Sequence, residues 1–196
     1  MKQRMMFHQD GFALDLTYVT NAFIAMSRPA VWHPFTQHAL QPDAIEIARA
    51  EGAWLERRDG SRILDAISSW WVITHGHRHP RIIEAMKAQA DKLDQVIFAG
   101  FTHEPVVQLS ERLSALTDHH LGHCFYASDG ASAVEIALKM SFHYWRNHGK
   151  SAKQEFACLS GSYHGETVGA LGVTDVPVFT EAYGGMYRRA HVVMSP

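Results

Sequence analysis

The stretch from Cys124 to Trp145 constrains the fold more than any other part of the chain. A short apolar run, Cys124–Ala127, predicts a strand. It enters the small-residue turn Ser128-Asp129-Gly130-Ala131-Ser132, and apolar spacing then predicts a helix from about Ala131 to Trp145. Val134, Leu138, Ser141 and Trp145 share one face of it, and Ile136 and Met140 make an apolar face on the far side. The polar stripe is narrow (Glu135, Lys139, His143 and Arg146), with Glu135 and Lys139 spaced to pair. A helix apolar on two sides is covered on two sides. A sheet covers one; a second domain or subunit covers the other. A second apolar run, Phe156–Leu159, follows, and strand–helix–strand reads as a right-handed unit of a parallel sheet. The expected fold class is therefore α/β. A last apolar pair, Val192 and Val193, precedes Pro196.

Upstream, Ala53 to Asp65 reads as a hairpin turning at Asp59-Gly60. Pro80 opens a helix carrying Ile82, Ile83, Met86, Ala90 and Leu93. Another helix begins near Pro105, with Thr102 as its expected cap and Val106, Leu109, Leu113 and Leu116 on one face. The 14 histidines raise the question of a metal. His75, His77 and His79 alternate, but Gly76 and Pro80 make that segment a loop leading into a helix, and no carboxylate completes a ligand set. His119, His120 and His123 read as a second polar loop, so no metal is expected. A net charge of -2 points to no nucleic-acid or anionic-membrane partner. Cys124 and Cys158 form no disulfide framework and suit a reducing cytoplasm. No signal peptide or membrane span is expected at the basic start, which Asp10 and Asp15 interrupt, and Met26 is a candidate initiator.

The chemistry concentrates where the two strands end. A glycine at a strand-to-helix turn lets backbone approach a ligand, and the free amides of the first turn point at an anion. The dipole contributes about 0.3–1 kcal/mol. Each hydrogen bond to a charged acceptor contributes roughly 1.5–3 kcal/mol, so the amides dominate. The alternative is a tight turn with Ser128 or Asp129 as N-cap. The second segment, Ser160-Gly161-Ser162-Tyr163-His164-Gly165-Glu166-Thr167, offers an aromatic, an imidazole and a carboxylate between glycines. In open parallel sheets, ligands sit at such carboxyl ends. Alternatively, Tyr163 only packs on the sheet end and His164 caps the next helix.

Ser128-Asp129-Gly130-Ala131-Ser132-Ala133-Val134-Glu135 and Tyr163-His164-Gly165 resemble the cofactor motifs of class III aminotransferases, a fold-type-I group dependent on pyridoxal phosphate. Two further stretches, Trp32-His33-Pro34-Phe35-Thr36-Gln37 and Ser68-Ser69-Trp70-Trp71 followed by His75-Gly76, resemble the branch serving biotin synthesis. The resemblance implies conversion of 8-amino-7-oxononanoate to 7,8-diaminononanoate with S-adenosylmethionine as donor, in a cytoplasmic homodimer when complete. It implies a cofactor site at Asp129, Gly130, Ala131, Tyr163 and His164, and substrate contacts from Trp70, Tyr163 and Phe35. Phe35 stands where the family usually has tyrosine, so a hydroxyl contact is missing. It further implies an unassigned extension over residues 1–26, a small-domain portion over 27–95 and an incomplete cofactor domain over 96–196.

Such chemistry needs a lysine to hold the cofactor, a carboxylate at its ring nitrogen and a cation for the substrate carboxylate. None of Lys2, Lys87, Lys92, Lys139, Lys150 and Lys153 follows a strand in a small, apolar setting. The resemblance places all three groups beyond Pro196, so the expectation is a fragment with no catalytic residue of its own. Two alternatives stand beside it. One is a class III enzyme acting on an ω-amino acid; the other is a non-catalytic piece that dimerises or aggregates.

Overall fold

The computed structural model describes residues 30–37, 39–40 and 43–196. The expectations for residues 1–26 and for Met26 lie outside the described residues. The chain divides into two compact units, Met1–Gln95 and Val96–Pro196.

In the first unit three strands form an antiparallel meander: β1 (Ile47–Glu51), β2 (Trp54–Arg57) and β3 (Arg62–Leu64). The hairpin expected over Ala53–Asp65 is the β2–β3 pair, with Leu55 opposite Ile63. Its turn closes through the Gly60 amide onto the Arg57 carbonyl, with Gly60 at φ +83° and Asp59 Oδ1 accepting from the Ser61 amide. Only glycine adopts that φ without steric cost. β1 has no clear alternation in the sequence and carries a register irregularity between Ile47 and Arg49. Helix α1 (Pro80–Lys92) has proline at its start, where the missing N–H costs nothing.

Between β3 and α1, Ser68, Ser69, Trp70 and Trp71 all have positive φ, between +46° and +64°. Four consecutive non-glycine residues make a left-handed turn, a conformation costing roughly 1–2 kcal/mol per residue. Such a turn persists only where its surroundings over-determine it.

In the second unit, α2 spans Glu104–Ala115 and α3 spans Gly130–Asn147. The α2 cap is His103, not Thr102: His103 is the extended residue next to the helix, and its Nδ1 accepts from the Val106 amide at 3.4 Å. Thr102 lies one position too early to reach that amide. β4 (Ala157–Leu159) and β5 (His191–Val193) pair in parallel, Cys158 opposite Val192. Between them lie α4 (Val168–Gly172), α5 (Pro177–Thr180) and a 3-10 turn at Glu181–Tyr183. Cys124–Ala127 belongs to no strand, contrary to expectation, because the parallel ladder joins only β4 and β5. The buried apolar core among the described residues is small: Cys158, Ala170, Leu171 and Val173, with Thr174 enclosed beside them. Ala170 and Leu171 lie in α4, Val173 and Thr174 just after it, and Cys158 in β4.

Candidate functional site

The turn after Ala127 carries the Asp129 N-cap that the second reading of its sequence named. Asp129 is the N-cap of α3, accepting from the Ser132 amide at 2.8 Å and the Ser132 hydroxyl at 2.7 Å, with the Ser128 hydroxyl at 3.0 Å. These donors, the Ser132 amide foremost, hold its carboxyl below the usual aspartate range. The carboxylate is thus turned onto its own helix. Gly130 has an ordinary φ, and a Cβ built on it would meet no atom within 4 Å. Open space therefore adjoins Gly130 at the start of the helix.

The second segment lies against this turn. Gly165 is at φ +112°, and a Cβ there would stand 2.5 Å from the Ala131 Cβ and 2.9 Å from its Cα. Glycine is required here on both counts. The structure thus brings Gly130 and Ala131 beside the Tyr163-His164-Gly165 stretch. Tyr163 is 52% exposed, its hydroxyl donates to Glu166 Oε1 at 3.0 Å, and its ring centre is 5.1 Å from that of Phe179. Burial, then the Glu166 carboxylate, pushes the phenol upward. The His164 ring does not cap the next helix. Its backbone amide donates to the enclosed Thr174 hydroxyl, which donates on to the Gly165 and Ala170 carbonyls. Asp175 finishes the clamp, accepting from the Gly161 amide at 3.0 Å and from Arg189 at 2.7 Å.

Glu135 departs from its expected surface pairing with Lys139. Its Oε1 accepts from the Gly169 amide at 2.6 Å and the Ala170 amide at 3.3 Å, serving as the side-chain cap that Thr167 does not give α4. A Cβ at Gly169 would stand 2.3 Å from the carboxylate. The Thr167 hydroxyl and those two amides lower the Glu135 carboxyl; Lys139 contributes least. Free amides at a helix start attract a carboxylate more strongly than a solvated lysine does. Thr174, Asp175 and this use of Glu135 have no signature in the sequence.

In the first unit, Phe35 and Trp70 meet edge to face, ring centres 5.7 Å apart, and both are mostly exposed. His77 donates through Nε2 to Asp65 at 2.8 Å, and His75 meets His79 ring to edge. No group of three or more histidine, cysteine or acidic residues placed to hold a metal occurs among the described residues. Asp65 also accepts from the Ser69 amide and hydroxyl, and these bonds, with His77 third, bring its carboxyl down to about 2. A separate cavity of about 1090 Å³ lies along α3, lined by Ile136, Met140, His143, Val173 and Arg188 among others. It includes none of the expected cofactor residues, so we read it as an uncovered flank of the helix.

An open helix start at Gly130, interlocked with an aromatic segment in an α/β unit, matches the arrangement that the resemblance to class III aminotransferases implies. The family model for class III aminotransferases matches residues 36–195, and the chain belongs to that family. More particularly, it is 41% identical over 157 residues to an adenosylmethionine-8-amino-7-oxononanoate aminotransferase from Synechococcus elongatus, covering 80% of this chain and 37% of that protein. Its fold matches the crystal structure of an enzyme of the same name from Methanocaldococcus jannaschii, with TM-score 0.80, 36% identity, and coverage of 85% of this chain and 39% of that one. An amine transaminase from an uncultivated Pseudomonas species, solved with pyridoxal phosphate bound, matches with TM-score 0.76 and 30% identity over 87% of this chain and 39% of its own. The chain thus spans under two fifths of the length of these relatives. No described helix is long and apolar enough to cross a membrane.

Proposed function

We propose that the protein containing this segment is a pyridoxal-phosphate aminotransferase that converts 8-amino-7-oxononanoate to 7,8-diaminononanoate, with S-adenosylmethionine as donor. The observation that carries the reading is the interlock of Gly165 on Ala131, which joins the open turn at Gly130 to Tyr163 and His164. The residues fit the cofactor: space adjoins Gly130 at the start of α3, and the Asp129 carboxylate is occupied by Ser132. Bound there, the cofactor supplies an electron sink; the chain supplies binding and orientation. The amides of Gly130 and Ala131 receive the phosphate, which Asp129 supports by fixing the first turn of α3. The Tyr163 ring stacks beside the cofactor ring and borders the substrate, with His164 alongside. Trp70 and Phe35 give the keto-amino acid an apolar wall. In this reading residues 27–95 are the small-domain portion and 96–196 part of the cofactor domain of a cytoplasmic homodimer.

The test is turnover by the full-length enzyme. With pyridoxal phosphate, S-adenosylmethionine and 8-amino-7-oxononanoate, mass spectrometry should show 7,8-diaminononanoate. Turnover of ω-amino acids without that product would assign the protein to another class III activity. Product formed only with lysine as donor would correct the donor alone.

A further inference from the structure

The left-handed turn at Ser68–Trp71 is bonded to Asp65. Asp65 is itself fixed: its amide donates to the Ala53 carbonyl at 2.9 Å, and its carboxylate is joined to His77, whose backbone pairs both ways with Gly52. From this knot the carboxylate reaches Ser69, taking its amide on Oδ1 at 2.9 Å and its hydroxyl on Oδ2 at 2.7 Å. The side chain of Asp65 is only 5% exposed and that of His77 15%. Trp70, the next residue, is 54% exposed and touches Phe35. The grip therefore falls on Ser69, one residue before the ring, and rigidity at Ser69 becomes orientation at Trp70.

We propose that Asp65, braced by His77, is a positioning residue that imposes the left-handed turn and thereby sets Trp70 as the wall that selects the keto-amino acid. The inference rests on the proposed function for the substrate; the grip itself does not. The carboxylate suits the task because it alone can accept from an amide, a hydroxyl and an imidazole together. Nothing else among the described residues bonds the Ser69 amide or hydroxyl.

The test is a double-mutant cycle in the full-length holoenzyme, combining Asp65→Ala with Trp70→Ala. Asp65→Ala alone should raise KM for 8-amino-7-oxononanoate at least about tenfold, the scale of one lost charged hydrogen bond, with kcat changing less and bound cofactor unchanged. In the Trp70→Ala background the same substitution should change KM less than about twofold, because its effect passes through the missing ring. Near-UV circular dichroism of the substrate-free enzyme should follow the same cycle, the Asp65→Ala difference shrinking once Trp70 is absent to what the neighbouring Trp71 contributes. Additive effects, or an unaltered spectrum, overturn the proposal. If Asp65→Ala does not fold, Asp65→Asn, which keeps an acceptor for the Ser69 amide, gives the same cycle at smaller amplitude. A wild-type enzyme inactive on the keto-amino acid but positive in the spectral cycle would refute the substrate assignment and leave the grip standing.

Discussion

Gly130 and Gly165 look alike in the sequence, yet they are glycine for different reasons, and substitution separates them. Gly165 is demanded by the fold: positive φ and the approach to Ala131 leave no room for a Cβ. Gly165→Ala should therefore lower the melting temperature of the full-length enzyme. Gly130 meets no such demand, so Gly130→Val should fold normally. Its side chain would fill the space at the start of α3 and remove one or two bonds to the phosphate, roughly 2–5 kcal/mol. The dissociation constant for pyridoxal phosphate should rise at least about tenfold, 1.4 kcal/mol being a factor of ten. An unchanged constant would place the phosphate elsewhere. Trp70 divides in the same way. A core tryptophan lost to alanine costs about 3–5 kcal/mol, and within this chain the residue is 54% exposed. Trp70→Ala should leave melting nearly unchanged while kcat/KM for the keto-amino acid falls well over tenfold, the loss expected of a buried contact with substrate. A large fall in melting temperature would make the ring structural.

At the scale of elements, α3 and α4 are joined by a carboxylate. Removing it in Glu135→Ala leaves the Gly169 and Ala170 amides without their acceptor, so their protection against hydrogen exchange should collapse while that of α1 is unchanged. Retained protection would show that α4 holds without the latch. Because the folded Glu135 carboxyl lies below its ordinary value, its contribution is complete above the ordinary glutamate range. It is lost as pH falls through the lowered folded value, so the protection of these two amides, measured against the intrinsic exchange rate at each pH, should fall on acidification below the ordinary range. The latch also shows which part of the molecule can be read beforehand. Pro80, the Asp59-Gly60 turn and the apolar spacing of α3 are local signals, and the elements they predict are present. Helical spacing likewise places Glu135 on a polar stripe beside Lys139. Its real partners lie 34 and 35 residues away, and no local rule reaches so far. The Asp65 grip on Ser69 spans only four residues yet is equally hidden, because left-handed backbone for serine and tryptophan runs against their own preferences. The turn at Asp129-Gly130 is readable because glycine and an N-cap form a local motif; the bonds of Thr174 and Asp175 that fix the Gly161–Gly165 segment are not.

For the whole molecule, the decisive quantity is how little the chain encloses. Although 46% of its residues are hydrophobic, Trp71 is 77% exposed, Leu116 81% and Phe125 70%, and four apolar side chains make up the buried core among the described residues. The same openness governs its lysines. Lys87 is paired with Glu84 on the solvent side of α1, and Lys139 lies on the exposed stripe of α3. Lys150 and Lys153 lie over the Trp145 ring at 5.1 and 3.8 Å, at the solvent end of that helix. Lys92 is exposed at the end of α1, and Lys2 lies outside the described residues. A lysine that attacks a carbonyl is prepared by a desolvated pocket or a neighbouring cation. Lys139 borders the open cavity along α3 but is exposed there, so none of the five described lysines is desolvated, and none stands beside Gly130 or Tyr163 in any contact of the structure. The isolated 196-residue polypeptide should therefore neither transaminate nor capture pyridoxal phosphate at one defined amine. Borohydride reduction of the mixture, followed by peptide mass spectrometry, should show only scattered, substoichiometric labelling of exposed lysines. A single stoichiometric adduct at one of them, together with turnover, would mean that this chain carries its own catalytic amine and that the division of labour proposed above is wrong.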